Sequence, residues 1–450
     1  MVIKMDIILC AVLFFASIVT CVITGRSMAW ALIVAFLALS CMGLRRGYKV
    51  PALFEMSKKN VPKAMIVVRV LCYIGLLTGL WRSAGTISYF IYYGIRVISP
   101  AMFLMIAFLL SLVLSFAFGT SFGAASTAGV VLMALARAGG VNEAVTAGVI
   151  MSGIYFGDRG APTSSCASLV AALTETDLFG NVKRMLKTAA LPLALTFGVY
   201  FLLSRANPIT VIDEQLLTLL RDSFGVSAWM VLPAVIMLTL PLFKVPIRRA
   251  MAVSIAAAFV LTVTMQDLHM AETVKIAIFG YHPENAALAQ VMSGGGFVSM
   301  FPTMVMNIFA AACTGLLESM GLLEGLRGRL IVMRDKIGLL PTLTASGTLI
   351  IMCVCNQTIS IMMAHQLMGS IYEKEGREHE EFAMDIANSI VTIAGLVPWS
   401  IACSVPLSML GIGISALPYA CYLYLLPICY LLTKRFFYPT KSVKNEANTK

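Results

Sequence analysis

Long uninterrupted apolar segments dominate this chain of 450 residues, of which 59% are hydrophobic and only 12% are charged. A soluble domain of this size would carry about 25% charged residues. The segment Pro100–Phe118 shows the type, because it is long enough to cross the roughly 30 Å of hydrocarbon in a bilayer. The runs are continuous and do not alternate, which favours helices over the strands of a β-barrel. We therefore predict an all-α polytopic membrane protein with about 10 to 12 transmembrane helices.

Basic residues gather in the short connections between apolar runs, and the formal net charge is +11. These basic connections are Arg45–Arg69, Lys183–Lys187, Lys244–Arg249, Arg327–Lys336 and Lys434–Lys450. Positive charge in short loops follows the positive-inside rule, by which such loops face the cytoplasm. A nucleic-acid-binding protein would instead present a basic face on a soluble element. We therefore expect the lipid bilayer as a partner and no nucleic acid.

A stretch in the first half of the chain recurs in the second half. Thr78–Gly85 resembles Thr314–Gly321, which lies 236 positions later, and the same offset pairs Pro162 with Pro398. Several features in register over this distance indicate a duplication. An odd number of helices in each unit would invert one unit relative to the other, which is the usual plan of alternating-access carriers. We therefore predict two inverted repeats with broken helices.

The sequence of apolar and polar segments divides the chain into five parts. We predict an N-terminal helix pair and basic connector at 1–63, a first transport repeat at 64–206, connecting helices at 207–296, a second transport repeat at 297–434 and a basic C-terminal tail at 435–450. The connector Arg45–Lys63 holds aromatic and basic residues, which favour a position along the inner membrane surface.

One carboxylate stands at the end of an apolar stretch. Ala144–Phe156 carries no charge and leads into Gly157–Ser165, which contains Asp158 beside glycine, proline and hydroxyl residues. A carboxylate at membrane depth is costly and needs water, a cation or a partner charge. A simple ion pair between Asp158 and Arg159 is one alternative. The surrounding glycines and proline favour the other, a helix break whose free carbonyls face a bound ion.

A second polar segment in the first unit supplies hydroxyls. Gly119–Thr127 holds Thr120, Ser121 and Thr127, and its glycines free the backbone to leave a helix. These hydroxyls and freed carbonyls are candidate Na⁺ ligands, although close helix packing also favours such small residues. Gly119–Gly123 also fits the G-x-S-x-G pattern of a hydrolase with Ser121 as nucleophile. That motif needs a strand–turn–helix context, so we expect a protein that is not an enzyme.

The second unit has a matching polar segment. Asn356, Gln357 and Ser360 lie within an apolar span, and the repeat offset pairs Gln357 with Ser121. Neutral amides there either coordinate an ion or substrate or hydrogen-bond neighbouring helices. Asp177, which follows the Asp158 segment, either serves the ion path or caps the next helix. Candidate site residues thus occur in both units.

Four motifs resemble those of one known family. Gly119–Gly129 resembles the G-T-S-W-G-T segment of the NhaC family of Na⁺/H⁺ antiporters, and Gly157–Ser164 resembles its G-D-K-x-S-P-L-S stretch. Thr176–Phe179 is similar to the T-D-L-F of that family, and Val397–Ser400 to its I-P-W-N element. The similarity extends from about Leu76 to Pro406. It implies a secondary carrier with inverted repeats and broken helices that performs Na⁺/H⁺ exchange or a related exchange such as malate with lactate.

The chain departs from the pattern of that family at four positions. Where the family has an acid and an amide after its proline, this chain has Ser165 and Ser168, and the family histidine is Asn181. A family threonine is replaced by Ala124. With one carboxylate fewer the site holds less positive charge, which makes an organic solute moved with fewer coupling ions a serious alternative. Some relatives in this family resemble Na⁺-coupled amino-acid carriers.

The resemblance and the residues together predict a Na⁺/H⁺ antiporter that works by alternating access. Asp158 would bind Na⁺ and H⁺ in turn, because burial favours proton uptake by a carboxylate. Ser121 would join it as a Na⁺ ligand, with further neutral ligands from Thr120, Ser164 and Asn356. The alternative is a Na⁺- or H⁺-coupled transporter of an amino acid or small carboxylate. We expect no cofactor. We also expect a multi-pass protein of the cell inner membrane, and a homodimer is left open.

Overall fold

The computed structural model describes residues 2–24, 26–209, 214–243, 245–322 and 327–438. Within these ranges the chain is helical, and its only strand-like feature is one isolated bridge between Tyr281 and Gly294. Most of the predicted basic tail at 435–450, from residue 439 onward, lies outside the described residues, as does Lys244. The described residues therefore confirm the predicted all-α class.

The α-helices are labelled in chain order. The first twelve are α1 Val2–Thr24, α2 Ala29–Arg45, α3 Val50–Lys58, α4 Val61–Ser83, α5 Thr86–Val97, α6 Phe103–Phe118, α7 Ser121–Ala124, α8 Val130–Ala138, α9 Glu143–Gly160, α10 Ser165–Leu173, α11 Leu178–Ala206 and α12 Glu214–Phe224. The others are α13 Leu232–Leu242, α14 Ile247–Met265, α15 Met270–Phe279, α16 Ala286–Met292, α17 Phe301–Ser319, α18 Arg327–Ile337, α19 Leu339–Val354, α20 Gln357–Lys374, α21 His379–Asn388, α22 Ile390–Ile393, α23 Ile401–Leu410 and α24 Cys421–Phe437.

Several helices are long and apolar enough to cross a bilayer. Among the described residues six such helices occur, and two bent pairs raise the number to as many as eight. The bent pairs turn by 94° after α12 and by 51° before α23. Three shorter apolar helices, within α1, α2 and α19, fall below the length of these candidate spans. The polytopic all-α membrane protein with bent helices is thus confirmed, and the six to eight candidate spans among the described residues are fewer than the roughly 10 to 12 transmembrane helices that the sequence predicts.

The two halves repeat each other element by element at the offset of 236 positions. α6 ends at Phe118 and α19 at Val354, and each is followed by a residue in the left-handed conformation, Gly119 with φ 67° and Cys355 with φ 59°. α10 begins at Ser165 and α23 at Ile401, the positions that the same offset relates. The internal repeat is thus visible in the backbone. The inverted orientation of the two units stays a prediction.

Equivalent serines stabilise the turns that precede α10 and α23. Ser164 and Ser400 are the N-cap residues, and their hydroxyls accept hydrogen bonds from backbone N–H groups in the first helical turn. Serine is a favoured N-cap because it satisfies donors that have no partner within the helix. Each hydroxyl also donates to a carbonyl six residues earlier, that of Asp158 in one unit and of Ala394 in the other. The same pair of serine hydrogen bonds therefore stabilises both turns.

Close packing of α6 on α9 fixes the helix that carries Asp158. The Ser115 hydroxyl donates to the Gly153 carbonyl at 2.9 Å and accepts from the Gly157 N–H at 3.1 Å. A Cβ atom on Gly157 would collide with the Ser115 backbone, so only glycine allows this approach. The last turn of α9 is consequently held in place at the centre of the first unit.

Candidate ion-binding site

Asp158 lies buried in the last turn of α9, with 5% of its surface exposed. Three groups approach its carboxylate. The backbone N–H of Ser121 reaches Oδ1 at 3.5 Å, and the Gln357 amide Nε2 reaches Oδ2 at 3.3 Å. The Cys166 thiol lies 3.8 Å from Oδ2. The carboxylate therefore receives weak, neutral donors from three separate segments.

These segments are the helix breaks of both units. Ser121 follows the break between α6 and α7, and Cys166 lies in the first turn of α10 after the turn that ends α9. Gln357 starts α20, directly after the break that ends α19. Its Nε2 also donates to the Val391 carbonyl at 2.8 Å, while its Oε1 accepts from the Cys166 thiol at 3.4 Å. Gln357 thus joins the two units at the carboxylate.

The charge of Asp158 has no ionic partner in the part of the chain that the structure describes. Arg159, its neighbour in sequence, turns away and donates to Asn388 Oδ1 and, at 2.7 Å, to the Met185 carbonyl. The alternative of an Asp158–Arg159 ion pair is therefore not what the structure contains. A buried carboxylate without a cation needs a bound ion or a proton to offset its charge.

Three of the other predicted site residues bond within their own helix or turn. Thr127 donates to the Gly123 carbonyl at 2.8 Å in a π-helical turn, and Ser360 donates to the Asn356 carbonyl at 2.7 Å. The Asn356 side chain caps α20 by accepting from the Ile359 N–H at 3.1 Å. The structure thus places Asn356 beside Gln357 as a local support, and it does not bring Thr127 or Ser360 to the carboxylate of Asp158.

The remaining predicted site residues differ in their position relative to the Asp158 carboxylate; they are Thr120, Ser164 and Asp177. Thr120 is the extended residue before α7, half-buried and next to Ser121 in sequence. Ser164 contacts the backbone carbonyl of Asp158 and not its carboxylate. Asp177 is exposed and caps α11 by accepting from the Gly180 N–H at 2.6 Å. Of the two roles that the sequence leaves open for Asp177, the structure places it in the capping role.

The sequence-based prediction lacks two groups that the structure places at the site around Asp158. The Cys166 thiol is one, and the Val391 carbonyl, which holds Gln357, is the other. A signal for Cys166 was available, because Asp158 and Cys166 flank a tight turn and so lie close together. The Val391 contact joins segments 34 residues apart and had no signal in the sequence.

Ser121 does not stand in the setting of a hydrolase nucleophile. It follows α6 and begins α7, whereas the nucleophile motif needs a strand before its turn. It is the backbone N–H of Ser121 that reaches Asp158. The hydroxyl-rich segment is therefore a break between two helices, as the transporter interpretation requires.

Two repeated units whose broken helices meet at a buried carboxylate define a secondary transporter of the membrane. The Na⁺/H⁺ antiporter family model matches residues 153–434, and the chain belongs to this family. The match covers α10, α20 and the end of α9, which carry Asp158, Cys166 and Gln357. The predicted NhaC-type family and the assignment as an ion-coupled antiporter are confirmed.

Individual relatives extend over most of the chain. The malate-2H⁺/Na⁺-lactate antiporter of Bacillus subtilis is 26% identical over 429 residues, which cover 92% of this chain and 90% of that protein. The Na⁺/H⁺ antiporter NhaC of the same organism is 26% identical and covers 81% of this chain and 82% of its own length. The arginine/ornithine antiporter ArcD of Halobacterium salinarum is 24% identical, with coverages of 83% and 79%.

Proposed function

We propose that this chain exchanges Na⁺ for H⁺ across the cell inner membrane, with Asp158 as the group that binds each ion in turn. The observation that carries the proposal is the buried carboxylate that lacks an ionic partner among the described residues and lies where the breaks of both units meet. A single carboxylate is neutralised by one proton or one Na⁺, so the two ions compete. Competition for one site couples their opposite movements, provided that the empty site does not change sides.

Oxygen atoms near Asp158 would complete the Na⁺ shell. Na⁺ is a hard cation and, like other hard cations, takes carboxylate, carbonyl and hydroxyl oxygens. Gln357 would offer its Oε1 after rotation of the amide, and Thr120 and Ser121 bring hydroxyls to the same break. These neutral ligands orient the ion, whereas the carboxylate supplies the charge.

Movement between the units would open the site to one side at a time. The contact of Gln357 with Asp158 crosses from the second unit to the first. Rocking of one unit against the other is the general mode of carriers with repeated units. Such a motion would make and break the Gln357 contact, and Na⁺ or H⁺ would enter and leave while it is broken.

A second candidate function is exchange of a small organic anion coupled to Na⁺ or H⁺. It is favoured by one observation, the malate-2H⁺/Na⁺-lactate antiporter that aligns with 92% of this chain. Ser165 in place of a family acid agrees with it, because the site then has less negative charge to offset bound cations. In this alternative Asp158 keeps its ion and the organic anion is the second cargo.

The test uses purified protein in liposomes that contain a pH-sensitive dye, with a Na⁺ gradient and an ionophore that clamps the voltage. We expect a Na⁺-dependent pH change from the wild type and none from Asp158→Asn. Asp177→Asn is the matched control, since asparagine caps a helix as well as aspartate and the residue is exposed. This variant should exchange at the wild-type rate.

The possible outcomes separate the candidates. Exchange at a normal rate by Asp158→Asn ends the assignment of that residue. If the wild type gives no pH change, Na⁺/H⁺ exchange is wrong, and uptake of labelled malate or lactate driven by the same gradient tests the second candidate. Loss of exchange in both variants indicates a general sensitivity to lost acids and contradicts a specific role for Asp158.

A further inference from the structure

A cavity of about 390 Å³ opens between the α1–α2 turn, α17 and α23. It shares no residue with the group around Asp158. Its size falls within the range of about 300–1,000 Å³ that is usual for small-molecule sites. Its polar lining consists of one guanidinium and five hydroxyl residues, Arg26, Ser27, Ser299, Thr303, Ser404 and Ser408.

One hydroxyl of this lining has no hydrogen-bond partner. Ser404 is 8% exposed, and its Oγ is left unpaired among the described residues. The neighbouring pair Thr303 and Ser408 satisfy each other at 2.6 Å. A buried hydroxyl without a partner is unfavourable, and a serine side chain can rotate among staggered positions to meet an acceptor in the cavity. The Ser404 hydroxyl is therefore free to donate to an acceptor in the cavity.

The equivalent positions of the first unit differ from Ser404 and Ser408. Ser168, which the repeat offset pairs with Ser404, donates to the Ser164 carbonyl at 2.8 Å on its own helix. Ala172 stands at the position that corresponds to Ser408. The unpaired hydroxyl and its neighbour are thus features of the second unit alone, where the cavity lies.

The charge of this cavity is positive and unopposed. Arg26 is exposed and takes part in no ion pair among the residues that the structure describes, and no acid lines the cavity. The basic connection that follows α2 places that end of α2 on the inner side by the positive-inside rule. The α1–α2 turn with Arg26 therefore faces the opposite, outer side, where an unpaired arginine is uncommon.

We propose that this cavity is a binding site for the carboxylate of a small organic anion on the outer face. The planar fork of the Arg26 guanidinium matches a carboxylate, and the hydroxyls of Ser404 and Ser27 provide neutral donors beside it. Met28, Met306 and Leu407 form an apolar wall for the carbon skeleton. The site goes beyond Na⁺/H⁺ exchange at Asp158 and does not depend on it.

Calorimetric titration of the full-length protein in phosphatidylcholine nanodiscs tests the site. Choline L-lactate is the probe, because it is a small hydroxy acid and brings no Na⁺. Choline chloride and the neutral analogue lactamide are the ligand controls. We expect binding of lactate and no binding of either control, since only lactate has the carboxylate that the guanidinium recognises.

Matched variants locate the binding. Arg26→Gln should weaken lactate binding at least tenfold, because it removes a hydrogen bond to a charged group. Arg205→Gln, which changes another exposed arginine at the end of α11, should not weaken it. Ser404→Ala should weaken binding severalfold, whereas Ser168→Ala, whose hydroxyl already has a partner, should leave it unchanged.

Three results would overturn the proposal. The first is the absence of lactate binding by the wild type at millimolar concentrations. The second is equal affinity in the wild type and Arg26→Gln, which would place any bound lactate elsewhere. The third is loss of lactate binding when phosphatidylglycerol is added to the nanodiscs, which would assign the cavity to an anionic lipid headgroup. Circular dichroism of each variant distinguishes a lost contact from a lost fold.

Discussion

Asp158 and Asp385 are both buried aspartates, one in each unit, yet their surroundings are opposite. Asp385 in α21 is fully enclosed and accepts from Tyr372 at 2.6 Å, Tyr430 at 2.9 Å and the Lys434 ammonium at 2.5 Å. Among the described residues, the carboxylate of Asp158 has only a backbone N–H, an amide and a thiol as hydrogen-bond donors. Burial of an acid alone therefore does not mark a binding site, whereas burial of an acid without a counter-charge does.

The surroundings of Asp385 have a structural purpose. Lys434 also pairs with Glu381 at 2.7 Å, and Glu381 lies 3.6 Å from Arg377. These contacts join α24 to α21, and Tyr372 adds the end of α20. A buried ion pair contributes little net stability when intact, but removal of one partner leaves a charge unopposed. The network therefore holds α20, α21 and α24 together, and the loss of any one charged partner should destabilise the fold.

The largest expected effect comes from breaking this ion-pair network. Lys434→Met leaves the carboxylates of Asp385 and Glu381 without their shared cation and should lower the free energy of unfolding by about 3–5 kcal/mol. Asp158→Asn removes an acid that already lacks a cation, so its stability should equal or exceed that of the wild type. Thermal unfolding in detergent measures both.

Lys187→Met serves as the control for the lysine substitution, because Lys187 is exposed on α11. Its unfolding temperature should stay close to that of the wild type. If Asp158→Asn is destabilised as strongly as Lys434→Met, the two aspartates have the same structural role and the contrast between them is wrong.

A second, smaller contrast concerns the residues that end α6 and α19. Gly119→Ala puts a Cβ at left-handed φ, where it would lie 2.5 Å from the Thr163 carbonyl carbon and 2.7 Å from the Ser164 nitrogen. The left-handed conformation alone costs a non-glycine residue about 1–2 kcal/mol, and the clash adds to it. Gly119→Ala should therefore lower the free energy of unfolding by more than about 2 kcal/mol.

Cys355→Gly, at the equivalent position, should change that free energy by less than about 1 kcal/mol. Relief of the left-handed strain is offset by the greater freedom of glycine in the unfolded chain. Denaturant titrations of the two variants give the comparison directly. Equal losses of unfolding free energy in both variants would contradict the expected difference between the two left-handed positions.

The sequence predicts the fold well because duplication leaves marks that survive in single residues. The offset of 236 positions between Pro162 and Pro398 also relates the ends of α6 and α19 and the starts of α10 and α23. Apolar runs predict the helices directly. The bend after α12 and the short α22 have no such pattern, because they depend on packing against other segments.

The candidate site could be predicted only in part. Asp158 and Gln357 are conspicuous as polar residues in apolar surroundings, and the structure brings their side chains together. Asp177 looks similar in sequence, but helix capping explains it fully. The partners of Asp385 could not be predicted from the sequence, because Lys434 is 49 positions away and resembles the basic residues that follow other apolar segments. Contacts between distant segments require the folded chain.

The smallest effects concern the neutral groups around Asp158, and they test whether the two units act as one site. Gln357→Met keeps the volume of the side chain and removes its hydrogen bonds to Asp158 and to the Val391 carbonyl. It also removes the Oε1 that would serve as a neutral Na⁺ ligand, and the contact of such a polar group with a charge is worth about 1.5–3 kcal/mol. The Na⁺ concentration that gives half-maximal exchange should rise about tenfold or more.

Cys166→Ala is the matched variant on the opposite side of the same carboxylate. The thiol is a weak donor and lies 3.8 Å from Oδ2 and 3.4 Å from the Gln357 oxygen, so its loss should shift the half-maximal Na⁺ concentration by only about two- to threefold. Liposome exchange at a series of Na⁺ concentrations separates the two variants. A larger shift for Cys166→Ala than for Gln357→Met would mean that the first unit binds the ion alone. The contact between the units would then be packing, and rocking of one unit against the other would not control access to Asp158.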